Sequence, residues 1–267
     1  MTTAIFALIV VPFDVICGDK IISFEAYNRF DVKALSPTIP TGSDRLDELL
    51  NGGLVADFMH LVYGEAETGK TTLAMQCAVN CARMGFKTIY IDSEGTFSAK
   101  RLTQIASDDA QKIASYIILA RPASFKEQSA ILDKLDSYLT EKVGLIVVDT
   151  VTSLYSAELG EESKSTFKLN RELNKQMAYL AQIVKTRKIA ALATSQVRNV
   201  FTAREVNLEP VARRVMKFWA NVVINLKLTP QNGVVRAVLE KHPQRLQPTS
   251  CFLRIVKEGI KDYKHLS

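Results

Sequence analysis

The sequence predicts an α/β fold with a mostly parallel central sheet flanked by helices and a C-terminal β-hairpin region. Three observations predict it. Short apolar runs alternate with helical patterns between residues 58 and 194, and strands separated by crossover helices pair in parallel. A glycine-bearing turn, Gly64-Glu65-Ala66-Glu67-Thr68-Gly69-Lys70-Thr71, joins one such strand to one such helix. Beyond residue 220 the pattern changes: Val222 to Leu228 and Val234 to Leu239 flank Pro230-Gln231-Asn232-Gly233, a hairpin signal.

Taken in order, residues 1–34 are set apart as an N-terminal arm and residues 35–267 as one domain. Ala4 to Val11 is apolar, but Pro12 and Asp14 follow and no basic residue precedes it. That run is too short to span a membrane and lacks the charged start of a signal peptide. It reads as a strand or arm packed on the core or on a neighbouring subunit. Ser36 to Gly42 is a linker. Ser43 then caps a helix with Leu46, Leu49 and Leu50 on one face, ended by Gly52-Gly53. Phe58 to Tyr63 reads as a buried strand, and Leu73, Ala74, Cys77, Ala78 and Cys81 mark a helix that stops near Gly85.

Further strands are expected over Thr88–Asp92, Tyr116–Leu119, Gly144–Asp149, Ile189–Thr194 and Phe252–Val256. Helices are expected over Ala99–Ala106, Phe125–Thr140 and Ser163–Thr186. Residues 197–214 show weak periodicity. Phe218 and Trp219 are expected to pack in the core ahead of the Val222 strand.

The glycine turn fits G-x-x-x-x-G-K-[ST] between a strand and a helix, the context a phosphate-binding P-loop requires. Its backbone N–H groups and the helix N-terminus cradle anionic oxygens. The candidate nucleotide-binding residues are Gly64, Glu65, Ala66, Glu67, Thr68, Gly69, Lys70, Thr71 and Thr72, with ATP and Mg²⁺ as the implied ligands. Lys70 would reach the β- and γ-phosphates and the Thr71 hydroxyl would bind Mg²⁺. Two carboxylates in the turn, Glu65 and Glu67, weaken binding of a triphosphate unless they point to solvent.

Asp149 ends a run of apolar residues, the pattern of a strand-end carboxylate in the Mg²⁺ shell. Glu94, after Ile91-Asp92-Ser93, either orients and deprotonates a water or stabilises a helix start. Gln196 either senses the γ-phosphate or satisfies local backbone. Ligand sites in parallel sheets lie beyond the strand C-termini, where Gly64, Glu94, Asp149 and Gln196 all fall.

Thirty-four Lys and Arg against 28 Asp and Glu give a net charge of +6, which permits a polyanionic partner without requiring one. The candidate nucleic-acid residues are Arg198, Arg204, Arg213 and Arg214, with Lys241, His242 and Arg245 in the strip Lys241-His242-Pro243-Gln244-Arg245. Such contacts read phosphates, not sequence. Phe201, Phe218 and Trp219 would add stacking faces for single-stranded bases. The four cysteines form no Cys-x-x-Cys pair, which suits a reducing cytoplasm, and the three histidines have no metal-binding spacing.

Several strings together resemble the RecA/RadA recombinase family: Thr41-Gly42 with Leu46, Asp47, Leu49 and Leu50, then Gly52-Gly53, the P-loop, Tyr90-Ile91-Asp92-Ser93-Glu94-Gly95-Thr96-Phe97 and Thr194-Ser195-Gln196-Val197. The likeness runs over about residues 35–262 and is strongest toward the short archaeal paralogues of RadA. The Tyr90–Phe97 string separates the chain from clock-type KaiC relatives, which carry paired glutamates where Glu94 stands alone.

The resemblance implies a RecA-like P-loop ATPase core that binds ATP and hydrolyses it weakly. It further implies an accessory role in homologous recombination and repair, sequence-nonspecific DNA binding with preference for single strands, a RadA-type recombinase as partner, and a possible homo-oligomer. It lends Glu94, with Lys70, the catalytic role, Gln196 the sensor role and Arg101 a stacking role on adenine. Two other readings stand beside it: a nucleotide-gated interaction protein with little DNA contact, and a KaiC-like signalling ATPase.

Overall fold

The computed structural model describes residues 15–17, 20–22, 38–159, 163–201, 206–245 and 247–263. The apolar run Ala4–Val11 and Arg204 lie outside the described residues. In chain order, β1 (Val15–Cys17) and β2 (Lys20–Ile22) form a small antiparallel pair. Next come α1 (Asp44–Leu49), β3 (Met59–Gly64), α2 (Lys70–Arg83), β4 (Lys87–Asp92), α3 (Ala99–Ala106), α4 (Ala110–Ala114) and β5 (Ile117–Ala120). Then follow α5 (Phe125–Asp133), α6 (Leu135–Tyr138), β6 (Val143–Asp149), α7 (Ser153–Glu158), α8 (Ser163–Arg187) and β7 (Ala190–Ser195). The last part holds β8 (Val197–Phe201), β9 (Val206–Pro210), α9 (Arg213–Trp219), β10 (Val222–Leu228), β11 (Val234–Lys241), β12 (Thr249–Val256) and β13 (Gly259–Asp262).

Among the described residues nine strands form one sheet in the order β13-β12-β11-β10-β3-β7-β6-β4-β5. From β10 to β5 every pairing is parallel, and from β10 to β13 every pairing is antiparallel. Strands β3, β4, β6 and β7 are buried at every residue, as sheets covered on both faces are. On one face, Leu46, Leu73, Ala78, Leu102 and Ile113 of α1–α4 pack against the sheet. On the other, Phe125, Leu135, Tyr155, Leu173, Leu180 and Met216 of α5–α9 do so. The register sets Tyr63 beside Ser195 and Asp92 beside Asp149, so the C-terminal ends of four strands share one edge.

The expected elements form within a few residues of their predicted bounds, with three differences. The single helix expected over 125–140 breaks at Lys134. The break lets Leu135 reach the core at 0% exposure and lets Asp136 meet Arg187 through paired 2.8 Å hydrogen bonds. Residues 197–210 form the β8–β9 hairpin, and 213–219 form α9. Their mixed polarity, on elements outside the main sheet, gave no period to read. Phe218, expected in the core, is 71% exposed, because α9 buries Met216 and turns Phe218 outward. Trp219 is half-buried, its Nε1–H donating to Asn174 Oδ1 at 2.9 Å. Among the described residues no helix is long and apolar enough to cross a membrane.

One buried amide fixes the helix that follows the P-loop. Gln76 Nε2 donates to Thr41 O at 2.7 Å and Ile260 O at 3.0 Å, and Gln76 Oε1 accepts from Ile260 N at 2.6 Å. A Cβ on Gly259 (φ +117°) would sit 2.0 Å from Oε1, and one on Gly42 (φ +88°) 2.4 Å from Nε2. Only glycine fits at either position.

His60 is fully buried in β3. Its ring accepts from Val55 N at Nε2 (3.3 Å), so Nδ1 carries the proton and donates to Ala191 O at 3.1 Å. Burial pushes its pKa down to about 4. The unfolded chain takes up a proton below about pH 6.5 that the folded chain refuses. The stability His60 contributes is therefore complete above that value and is lost as pH falls toward 4. Urea unfolding of wild type and His60→Gln should show the gap between them narrowing by about 2 kcal/mol from pH 7 to pH 5.

Candidate nucleotide site and basic groove

The turn after β3 closes around its own lysine. Lys70 Nζ donates to the carbonyls of Gly64 (2.9 Å) and Glu65 (2.6 Å), and the Thr68 hydroxyl donates to Glu65 O at 2.8 Å. Gly69 holds φ +87° as the residue before α2, a conformation glycine adopts without strain. Gly64 has a different reason: a Cβ there would lie 2.2 Å from Leu226 O on the paired strand β10. Glu67 is exposed and Glu65 half-buried, so the more exposed of the two carboxylates stands at the rim. Burial pulls the Lys70 pKa down, while the charges of Glu94, Asp149 and Glu65 oppose this. The lysine thus stands among three carboxylates.

A cavity of about 610 Å³ opens over this turn. It is lined by Gly64, Ala66, Glu67, Gly69, Lys70, Thr71, Thr72, Glu94 and Gln196 of the expected residues, and by Val197 and Ile255. Asp149 lies beneath at 0% exposure, accepting from Tyr90 OH at 2.8 Å and Thr194 Oγ1 at 2.5 Å. Burial raises its pKa, and hydrogen bonds from Thr194, Tyr90 and Thr71 counter the rise. Burial also raises the pKa of Glu94, with the bond from Gln196 Nε2 to Glu94 Oε1 acting against it. Asp92 shapes the loop that presents Glu94. Its carboxylate accepts from Thr96 N (2.9 Å), Phe97 N (3.1 Å) and Arg121 Nε (3.0 Å), and Arg121 Nη2 reaches Phe97 O at 2.9 Å.

Arg101 is turned to the wall of the cavity. Its guanidinium donates to Val256 O at 2.9 Å and Lys257 O at 2.8 Å, fixing the turn after Ile255. Sequence reading missed Val197, Ile255, Tyr90, Thr194 and Arg121. Of these, Tyr90, Thr194 and Val197 sit in strings already singled out, and Ile255 and Arg121 do not.

The basic residues divide in two. Arg198, Arg213, Arg214 and Lys217 line a groove of about 1020 Å³ with Tyr155 and Asn170, between α7–α8 and the β9–α9 segment. Among the described residues neither Arg198 nor Arg214 has a carboxylate partner. The strip 241–245 instead closes helices. Lys241 Nζ donates to Lys217 O (3.1 Å) and Ala220 O (2.6 Å) at the end of α9. Arg245 Nη2 donates to Glu48 O (2.7 Å) and Asn51 Oδ1 (2.9 Å) at the end of α1. His242 is buried and accepts from Gln244 N. The side chain of Phe201 lies outside the described residues. Gln196 and Val197 line the cavity over the glycine turn while Arg198 lines the groove, so consecutive residues of the chain border the two spaces.

A RecA-like α/β core with a P-loop beside strand-end carboxylates defines the class: a P-loop nucleotide-binding fold. The sequence profile of the Rad51 family matches residues 34–263, and the chain belongs to that family. It is 34% identical over 230 residues to the DNA repair and recombination protein RadB of Methanococcoides burtonii, covering 86% of this chain and 100% of that one. It is 35% identical over 227 residues to RadB of Thermococcus gammatolerans, covering 84% and 98% respectively. The solved structure described as the crystal structure of the RadB recombinase superposes with a TM-score of 0.73 at 32% identity, over 85% of this chain and 100% of that chain.

Replacing Lys70 by Ala should lower affinity for a fluorescent ATP analogue at least about 100-fold, the ~3 kcal/mol scale of a charge-assisted phosphate contact. A titration with unchanged affinity would remove the cavity from consideration as a nucleotide site.

Proposed function

We propose that this protein is an ATP-binding, DNA-binding accessory protein of homologous recombination and repair, acting beside a RadA-type recombinase. The observation that carries the reading is the continuity of Glu94, Gln196, Val197 and Arg198: a carboxylate at the phosphate cradle contacts the segment that leads into the basic groove. The printed names of the relatives, DNA repair and recombination protein RadB, support the same process.

The residues present fit Mg-ATP. A buried lysine, a glycine turn and a helix N-terminus suit phosphate. Among the described residues no cluster of three or more His, Cys, Asp or Glu side chains is arranged to hold a metal. This suits Mg²⁺, which binds through one or two carboxylates plus phosphate oxygens. Lys70 and the loop amides would hold the phosphates, and Thr71 and Asp149 the ion. Bound nucleotide supplies a terminal phosphate whose presence or loss distinguishes two states. Glu94, raised by burial, accepts a proton from water more readily than an exposed carboxylate. Gln196, bonded to Glu94, carries the difference into β8. Arg198 and Arg214 hold DNA phosphates without reading bases.

The exposed rings of Phe167 and Phe218, each 71% exposed, favour a second reading in which ATP gates contact with a protein partner and DNA contributes little.

Fluorescence anisotropy with labelled single-stranded DNA, with and without Mg-ATP over a salt series, separates the two. The first reading expects binding that weakens steeply with salt and changes with ATP, and that Arg198→Gln or Arg214→Gln flattens the log–log slope by about 0.7. Salt-independent binding, or none, would favour the partner reading. Glu94→Gln should keep ATP affinity within about twofold and cut any ATP turnover at least tenfold, the lower range for loss of a general base. Unchanged turnover would exclude Glu94 as the base.

A further inference from the structure

An acid outside the lining of the basic groove holds two of its cations. Glu209, on β9, places Oε2 3.2 Å from Arg213 Nε and 3.1 Å from Lys217 Nζ. Its side chain is 16% exposed against 55% for Arg213. The contact is an ion pair rather than a set of aligned hydrogen bonds, since Oε2 has no hydrogen-bond partner of good geometry. Lys217 is held a second time, by Glu240 Oε2 at 2.8 Å. Glu240 in turn accepts from Tyr63 OH at 2.7 Å and Asn225 Nδ2 at 3.2 Å. Two of the four cations lining the groove are thereby paired with carboxylates, and the more exposed of them, Arg213, has Glu209 as its sole carboxylate partner among the described residues.

We propose that Glu209 is a built-in competitor for nucleic-acid phosphate: its carboxylate occupies Arg213 until a phosphodiester displaces it. The proposal rests on the reading of the groove as a nucleic-acid site. An ion pair with a half-exposed partner is a weak contact, so a phosphate aligned with the guanidinium fork can replace it. Lys217, held by two carboxylates, stays in place. The backbone favours this division. Arg213 and Lys217 stand one helical turn apart on α9, which starts after Ala212 (φ 52°, ψ 41°), and Glu209 on β9 meets both. Glu209 thus weakens binding to any polyanion and makes occupancy of the groove conditional on a well-placed phosphate.

The test uses the full chain, a labelled oligothymidylate and Mg-ATP, with anisotropy measured over a salt series. Glu209→Gln should tighten binding about fivefold or more and steepen the log–log salt slope by about 0.7, one added phosphate contact. Glu209→Asp, which shortens the reach to Arg213, should act in the same direction and serves if the Gln variant does not fold. Arg213→Gln should cost at least threefold more affinity in the Glu209→Gln background than in wild type, since close pairs couple in such a cycle. Glu209 variants that bind no tighter than a DNA-binding wild type, with an unchanged slope, would overturn the competitor and leave the groove reading intact. Absence of binding by wild type and every variant at low salt would overturn both.

Discussion

The Gln76 amide is the contact on which the placement of the site depends. It sits on the helix whose first turn carries Lys70 and Thr71, and it hydrogen-bonds the entering segment at Thr41 and the closing strand at Ile260. A fully engaged amide in a low-dielectric interior is directional, and leaving any of its partners unpaired costs about 1–3 kcal/mol. The helix therefore cannot slide along its axis without breaking bonds to two distant parts of the chain. The Ser43 hydroxyl, which caps α1 by accepting from Leu46 N and also donates to Asp262 Oδ1, fixes the same corner from the other side. The C-terminal antiparallel strands thus do more than finish the sheet. They clamp α2, the helix after the glycine turn, and through Ile255 they supply a wall of the cavity over that turn.

Within that frame the site is a balance of one buried cation against several carboxylates. Lys70 rests on carbonyl oxygens, Asp149 is screened by three hydroxyls, and Glu94 is held by an amide. Asp149 and Glu94 are both held by neutral donors rather than by a salt bridge. The exception is Asp92, whose partner Arg121 belongs to the loop-shaping layer. Neutral donors leave the net charge of the cavity to be completed by a ligand, which suits a site built for anionic oxygens and a divalent ion.

Much of this was legible in the chain. The strand–turn–helix around Gly64 to Thr71 reads directly, because glycines at fixed spacing answer to a backbone requirement. The strand-end positions of Glu94, Asp149 and Gln196 follow from parallel pairing. Other features were not legible, for physical reasons. Tyr90 and Arg121 reach the site through register and long-range packing, which no local period encodes. Strand β13 is four residues long and exists through pairing with β12. Helix α9 turns Phe218 outward, against the rule that aromatic pairs before a strand are core, because Met216 already occupies the buried position. The strip at 241–245 looked like a polyanion contact by composition alone, yet Lys241 and Arg245 cap helix ends, a role that charge counting cannot distinguish.

The succession of residues 196–198, bordering first the cavity and then the groove, has a consequence for kinetics. Two sites separated by one peptide unit need no lever, hinge or subunit rotation to communicate, and a rearrangement of that extent belongs to the nanosecond-to-microsecond range of loop motion. On the proposed reading, the groove follows the cradle almost without delay. The lifetime of each state is then set by how long a nucleotide stays, so the protein would act as a timer governed by ligand residence rather than by its own conformational barrier.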